Sequence, residues 1–184
     1  MDNRSPKEAI AYHGWGFDAS CWRDWQRYFE QQGWQFQAFD RGYWQRPSAP
    51  KFNPTAQTKL LLVHSYGLHL CPPDQLQQAN IMVIFSSFAR FHPASEPLKR
   101  RSQKILQQMI AQFAVNPLQV LSQFRLNCHH PCAWQATLSD HFDSDLLLHD
   151  LNHLQTAEID LALLQKIPQI LDFQGDQDRH CPFR

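Results

Sequence analysis

The sequence predicts an α/β fold, a mostly parallel sheet flanked by helices, with further helices inserted after the fourth strand. Three observations carry this expectation. Runs of strand length and near-continuous apolar character recur at residues 8–12, 60–63 and 81–85, as in strands covered on both faces. Segments with helical spacing of apolar residues accompany them, most clearly over residues 98–113. The run Leu60-Leu61-Leu62-Val63 ends abruptly at His64-Ser65-Tyr66-Gly67, a strand-to-helix break with a serine at the bend.

Composition narrows the class. A chain of 184 residues with 43% hydrophobic and 18% charged residues suits one globular unit with a sizeable core. Lys plus Arg and Asp plus Glu both number 17, so no broad nucleic-acid-binding surface is expected. No apolar run approaches the ~18 residues of a membrane span, and Met1-Asp2-Asn3-Arg4-Ser5-Pro6 lacks the apolar core of a secretion signal. Cys21, Cys71, Cys128, Cys132 and Cys181 form an odd, unpatterned set, which reads as reduced thiols in a cytoplasm.

Taken in order, Glu8-Ala9-Ile10-Ala11-Tyr12 is the first strand, and His13-Gly14-Trp15-Gly16 breaks it. Two glycines around one bulky residue let the backbone turn tightly and present a free N–H. Asp18-Ala19-Ser20 offers caps for a helix to about Gln32, with Trp22, Trp25, Tyr28 and Phe29 on one face and Gly33 as its stop. Gln35-Phe36-Gln37-Ala38-Phe39 alternates like a strand, Asp40-Arg41-Gly42-Tyr43 turns away, and residues 44–58 hold three prolines and read as loop.

The bend at Ser65 has the outline of a nucleophile elbow, which lifts a hydroxyl above the sheet edge. The usual pattern is G-x-S-x-G, and Val63 stands where its first glycine would be. In an acyl-transfer reading, Ser65 is the nucleophile and the N–H groups of Trp15 and Tyr66 form the oxyanion hole. The plainer alternatives are a serine in a strand-end turn and a tight strand-to-helix loop at His13–Gly16, with His13 a loop residue rather than a base. His64 precedes Ser65 in a strand, so strand alternation sends its side chain the other way.

His13-Gly14-Trp15-Gly16 with Trp22, then Asp40-Arg41-Gly42, then Val63-His64-Ser65-Tyr66-Gly67, resembles the α/β-hydrolase superfamily, most nearly the pimeloyl-acyl-carrier-protein methyl ester esterases of biotin synthesis. The resemblance implies a core of residues 1–90 and 155–184 and a helical lid at 91–154. The residues agree: an amphipathic helix over Leu98–Phe113, a second opening at Asn116-Pro117, and a third capped by Ser144. It also implies an acyl ester substrate, carried on an acyl carrier protein, and no cofactor. Arg100, Arg101, Lys104 and Arg125 would then be a docking patch for that acidic carrier, against the alternative of a solvated helix face.

Ile167-Pro168-Gln169-Ile170-Leu171-Asp172-Phe173 reads as a late strand running into Gly175-Asp176-Gln177-Asp178-Arg179-His180-Cys181-Pro182. By the resemblance, Asp178 is the triad acid, with Asp176 its rival and a polar turn the alternative. The acid accepts Nδ1–H from the catalytic histidine and fixes its tautomer. That histidine belongs beyond the acid. Arg184 is six residues past Asp178, so this part is expected to be missing and no imidazole is assigned. Cys128-His129-His130-Pro131-Cys132 contains zinc-ligand types, but its spacing fits no standard knuckle, so no metal is expected. A generic carboxylesterase or thioesterase is the sister reading, and a non-catalytic binding protein of the same fold is the rival. A dinucleotide-binding oxidoreductase is disfavoured, since no G-x-G-x-x-G follows a strand.

Overall fold

The computed structural model describes residues 6–129 and 138–175. Five strands, β1 (Lys7–Tyr12), β2 (Gln35–Ala38), β3 (Thr58–His64), β4 (Ile81–Phe85) and β5 (Gln169–Phe173), form one sheet in the order β2-β1-β3-β4-β5. Every neighbouring pair is parallel. The register pairs Tyr12 with Val63 and His64 with Phe85, so the chain leaves β1, β3 and β4 at one common edge. That edge collects the His13–Phe17 turn, the bend at Ser65 and the Ser86–Phe88 segment.

Alternation divides the strands between two cores. Ile10, Tyr12, Leu61, Val63, Met82 and Ile84 pack on one face with α2 (Gly67–Leu70) and α3 (Pro73–Gln78). Ala9, Ala11, Leu60 and Leu62 face the other way toward Trp22 and Phe36. The first helix departs from its sequence reading. A 3₁₀ turn at Ala19–Trp22, capped by Asp18, precedes α1 (Arg23–Gln31). Trp22 and Trp25 still share the Phe85 ring, at 6.1 and 5.3 Å between ring centres, and Trp25 stacks on Phe29. Trp22 is buried, whereas Trp25 and Tyr28 lie at the margin, 41% and 57% exposed.

Between β4 and β5 come α4 (Glu96–Val115), α5 (Pro117–His129), α6 (Ser144–His153) and α7 (Leu161–Leu164). Asn116 caps α5, its side-chain oxygen accepting from the Gln119 N–H. The cap of α6 is Asp143, one residue before the expected Ser144, and it accepts from the Leu146 N–H at 2.9 Å. The late strand begins at Gln169 rather than Ile167, and all five of its residues are exposed. Among the described residues no helix is long and apolar enough to cross a membrane.

The inserted helices bury a third apolar cluster above the strand ends, including Trp15, Tyr66, Phe113, Leu121, Leu147 and Leu151. Polar ties fix α6 to the sheet edge. Arg41 donates from Nε and Nη2 to the Asp150 carboxylate at 2.7 and 2.9 Å, and the Tyr43 hydroxyl donates to it at 2.8 Å. Asp150 is buried, so its charge depends on these donors. Removing the carboxylate by Asp150→Ala strands Arg41 beside an apolar wall. Urea titration should show a loss of about 3 kcal/mol; a loss below about 1 kcal/mol, the surface-pair range, would contradict this account.

Candidate active site

Ser65 sits at the end of β3 with φ +52°, in the left-handed region that a residue with a Cβ enters only under strain. Bonds on both sides hold it there. Its N–H donates to the Phe85 carbonyl at 3.0 Å, and the Ser87 hydroxyl donates to its carbonyl at 2.5 Å. Gly67 lies against β1: a Cβ there would collide with the Tyr12 carbonyl oxygen and come within 2.8 Å of that of His13. This is why a glycine follows the serine by two places. Val63, which replaces the motif's first glycine, is wholly buried between Tyr12 and Ile84 on the neighbouring strands.

Gly14, Trp15, Gly16 and Phe17 form a tight turn closed by the Phe17 N–H on the Gly14 carbonyl at 3.2 Å. Gly16 has φ +69°, the third position of a type II turn, where glycine is favoured. Gly14 is pressed against the bend, and a Cβ on it would lie 2.9 Å from Ser65 Cβ and 3.2 Å from His64 Nδ1. The expectation that His64 points away from Ser65 is thus corrected: both side chains converge on Gly14, because the left-handed serine ends the strand alternation. Trp15 and Tyr66 are each 3% exposed, yet among the described residues neither of their main-chain N–H groups has an acceptor.

His13 is tied off. Its Nε2 accepts from the Arg41 N–H at 3.0 Å, so Nδ1 carries the proton and donates to the Gly14 carbonyl at 2.8 Å. Burial pushes its pKa below the ordinary value, which keeps it neutral. His69 donates from Nε2 to the Phe88 carbonyl at 3.0 Å, and burial pushes its pKa down to about 4. The Tyr66 hydroxyl and His153 Nδ1 are 2.8 Å apart, and His129 Nδ1 binds the Arg125 carbonyl at 2.8 Å. Among the described residues no imidazole is hydrogen-bonded to the Ser65 hydroxyl.

Asp178 and its rival Asp176 lie outside the described residues, as do His130, Pro131 and Cys132 of the Cys128–Cys132 stretch. Among the described residues no three His, Cys, Asp or Glu side chains gather as a metal site. Arg100, Arg101 and Lys104 are exposed on α4, with Glu96 3.8 Å from Arg100. Arg125 is not part of that solvent-facing set; it is half-buried and donates from Nε to the Gly16 carbonyl at 2.6 Å. Sequence reasoning gave Ser87 no role, although its hydroxyl fixes the Ser65 carbonyl and it lines a cavity of about 430 Å³ with Phe88, Ile159 and Asp172. Ser86, at φ +43°, marks that second strained turn, and no residue type in the sequence announces it.

No protein-family model matches the chain, and no curated protein does. Solved structures do. An esterase from Exiguobacterium antarcticum superposes with a TM-score of 0.72 at 15% identity, over 97% of this chain and 77% of that one. A bromoperoxidase from Bacillus anthracis gives 0.67 at 15% identity over the same shares. A carboxylesterase structure from Nitrososphaera gargenis gives 0.60 at 12% identity, over 95% of this chain and 74% of that one. At such identities the likeness establishes the α/β-hydrolase fold, and the reaction has to be argued from the site.

The depressed His69 pKa has a stability consequence with a definite sign. Between the ordinary 6.5 and the folded value of about 4, the unfolded chain binds a proton that the folded one refuses. The contribution is fully present above that window and is lost as pH falls through it. Melting temperatures compared at neutral pH and pH 4.5 should therefore drop less in His69→Gln, which keeps an amide donor for Phe88, than in the parent. Parallel profiles would show that His69 titrates freely in the folded protein.

Proposed function

We propose that this chain is a serine carboxyl-ester hydrolase, with Ser65 as nucleophile and the Trp15 and Tyr66 N–H groups as the oxyanion hole. The observation that carries the reading is a strained serine flanked by the main-chain N–H groups of two buried residues, which have no acceptor among the described residues. Attack by Ser65 Oγ on an ester carbonyl moves the π electrons onto oxygen. Two fixed donors at that oxygen are typically worth 10²–10³ in rate each. The hydroxyl proton passes to a base and on to the departing alcohol as the tetrahedral intermediate collapses, and water then hydrolyses the acyl-enzyme to the free acid and Ser65. Asp178 has the triad-acid role, orienting an imidazole through its Nδ1–H.

The inserted helices act as a lid, packed over the strand ends through the apolar cluster of Trp15, Phe113 and Leu121. The narrower substrate, a pimeloyl methyl ester on an acyl carrier protein, is supported by the sequence resemblance and by the exposed Arg100, Arg101 and Lys104. A generic carboxylesterase or thioesterase needs the same site without the docking face. The second reading is a non-catalytic binding protein. It is favoured by the lack of an imidazole bonded to Ser65 among the described residues, since a serine without a base is a weak nucleophile.

Fluorophosphonate labelling separates these readings. The parent protein should label and Ser65→Ala should not; labelling that is absent, or equal in both, overturns the hydrolase. For docking, charge reversal at Arg100 and Arg101 should raise KM for a carrier-bound ester severalfold while leaving a small soluble ester unaffected. Equal effects on both substrates would remove the docking face.

A further inference from the structure

Arg125 stands apart from the other arginines around the site. Arg41 is bidentate on Asp150, Arg90 pairs with Glu158, and Arg100 lies near Glu96. Arg125 projects from α5 to the Trp15 turn, where its Nε donates to the Gly16 carbonyl at 2.6 Å. Its guanidinium carbon lies 4.0 Å from the centre of the Phe17 ring and 5.5 Å from that of Trp44. One of five donors is thereby used. Among the described residues, the two terminal nitrogens have no hydrogen-bond partner and no carboxylate comes within ion-pair distance. Asp18 acts on the charge only from further off, and its carboxylate is engaged by the Ser20 N–H at 2.8 Å.

We propose that the Arg125 fork is a receptor for a second, anionic group carried by the ester substrate, a carboxylate or a phosphate. The proposal rests on the hydrolase reading and names the substrate class of that same site. A clasp between α5 and the Trp15 turn accounts for the Nε bond, while the two terminal nitrogens stay open to solvent and hence to an arriving anion. Burial pushes the guanidinium pKa below its ordinary value, the sign of a charge short of compensation. Aromatic faces stabilise such a cation without neutralising it, and they hold its plane in one orientation. A planar fork fixed this way matches a carboxylate or phosphate bidentately.

Both groups meet one turn. Gly14 abuts Ser65 while Gly16 binds Arg125, so the serine and the guanidinium flank the same four-residue turn. The distance between them is on the order of 10 Å, from residue spacing along a chain. An ester attacked at Ser65 would reach Arg125 with a charge several carbons from the reacting carbonyl.

The test compares p-nitrophenyl alkanoates with the same esters ending in a carboxylate, at several chain lengths. The parent should favour the anionic member in kcat/KM by about tenfold at its best length. Arg125→Met should abolish that ratio, with Arg125→Lys falling between, whatever either change does to the neutral ester through the Gly16 bond. A ratio unchanged in both variants, with melting curves showing both folded, overturns the proposal. Should the parent turn over neither ester, the hydrolase reading fails separately and a titration decides the anion site. Glutarate or inorganic phosphate should then shift the main-chain amide signals of the Gly14–Phe17 turn in NMR saturably, and Arg125→Lys should weaken the binding severalfold. The tighter of the two identifies carboxylate or phosphate, and binding of neither overturns the site.

Discussion

The approach of three main-chain segments at one sheet edge constrains everything else in this molecule. Gly67 packs on the carbonyls that end β1, Gly14 packs on Ser65, and both contacts leave room for hydrogen alone. Each draws the first strand's loop toward the third strand's bend. With the loop and bend so close, a residue at φ +52° is held in place by the Phe85 and Ser87 bonds rather than relaxing. Among the described residues the N–H groups of Trp15 and Tyr66 have no acceptor, which follows from the same crowding. Buried main-chain donors normally find acceptors, and those left over mark places where structure is spent on something other than stability.

The inserted helices complete the arrangement from above. Asp150 is drawn onto Arg41 and Tyr43, and the Trp15 indole N–H donates to the Leu147 carbonyl at 2.8 Å. The turn that carries the Trp15 donor is thus held from both sides, by the sheet through Gly14 and by the insert through Trp15 and Gly16. Rigid support of this kind is what electrostatic stabilisation of a developing charge requires, because donors that must first reorient lose their advantage.

What was legible in the sequence followed local periodicity and the glycines. The parallel sheet, the bend at Ser65 and the helices α4 and α5 could all be read from apolar spacing, and Gly14, Gly16 and Gly67 marked the close approaches. Features were lost where one local rule replaced another. The 3₁₀ turn at Ala19–Trp22 has no residue signal of its own, so the α-helix was read as starting earlier than Arg23. His64 was assigned by strand alternation, which fails at a left-handed residue that is not glycine. The Arg41–Asp150 pair spans 109 positions and leaves no local trace, as pairings made only by tertiary structure generally do not.

The uneven fastening of the insert determines how its parts could move. Helix α6 is bound by a buried carboxylate with three donors and by the Trp15 indole, whereas α5 reaches the Trp15 turn through one guanidinium and ring contacts. Breaking the first set uncovers a charge in an apolar wall, whereas parting the second uncovers Leu106, Phe113 and Leu121 from the shared cluster. The two fastenings thus differ in kind: directional and ionic at α6, apolar and indifferent to small sliding at the α4–α5 hairpin.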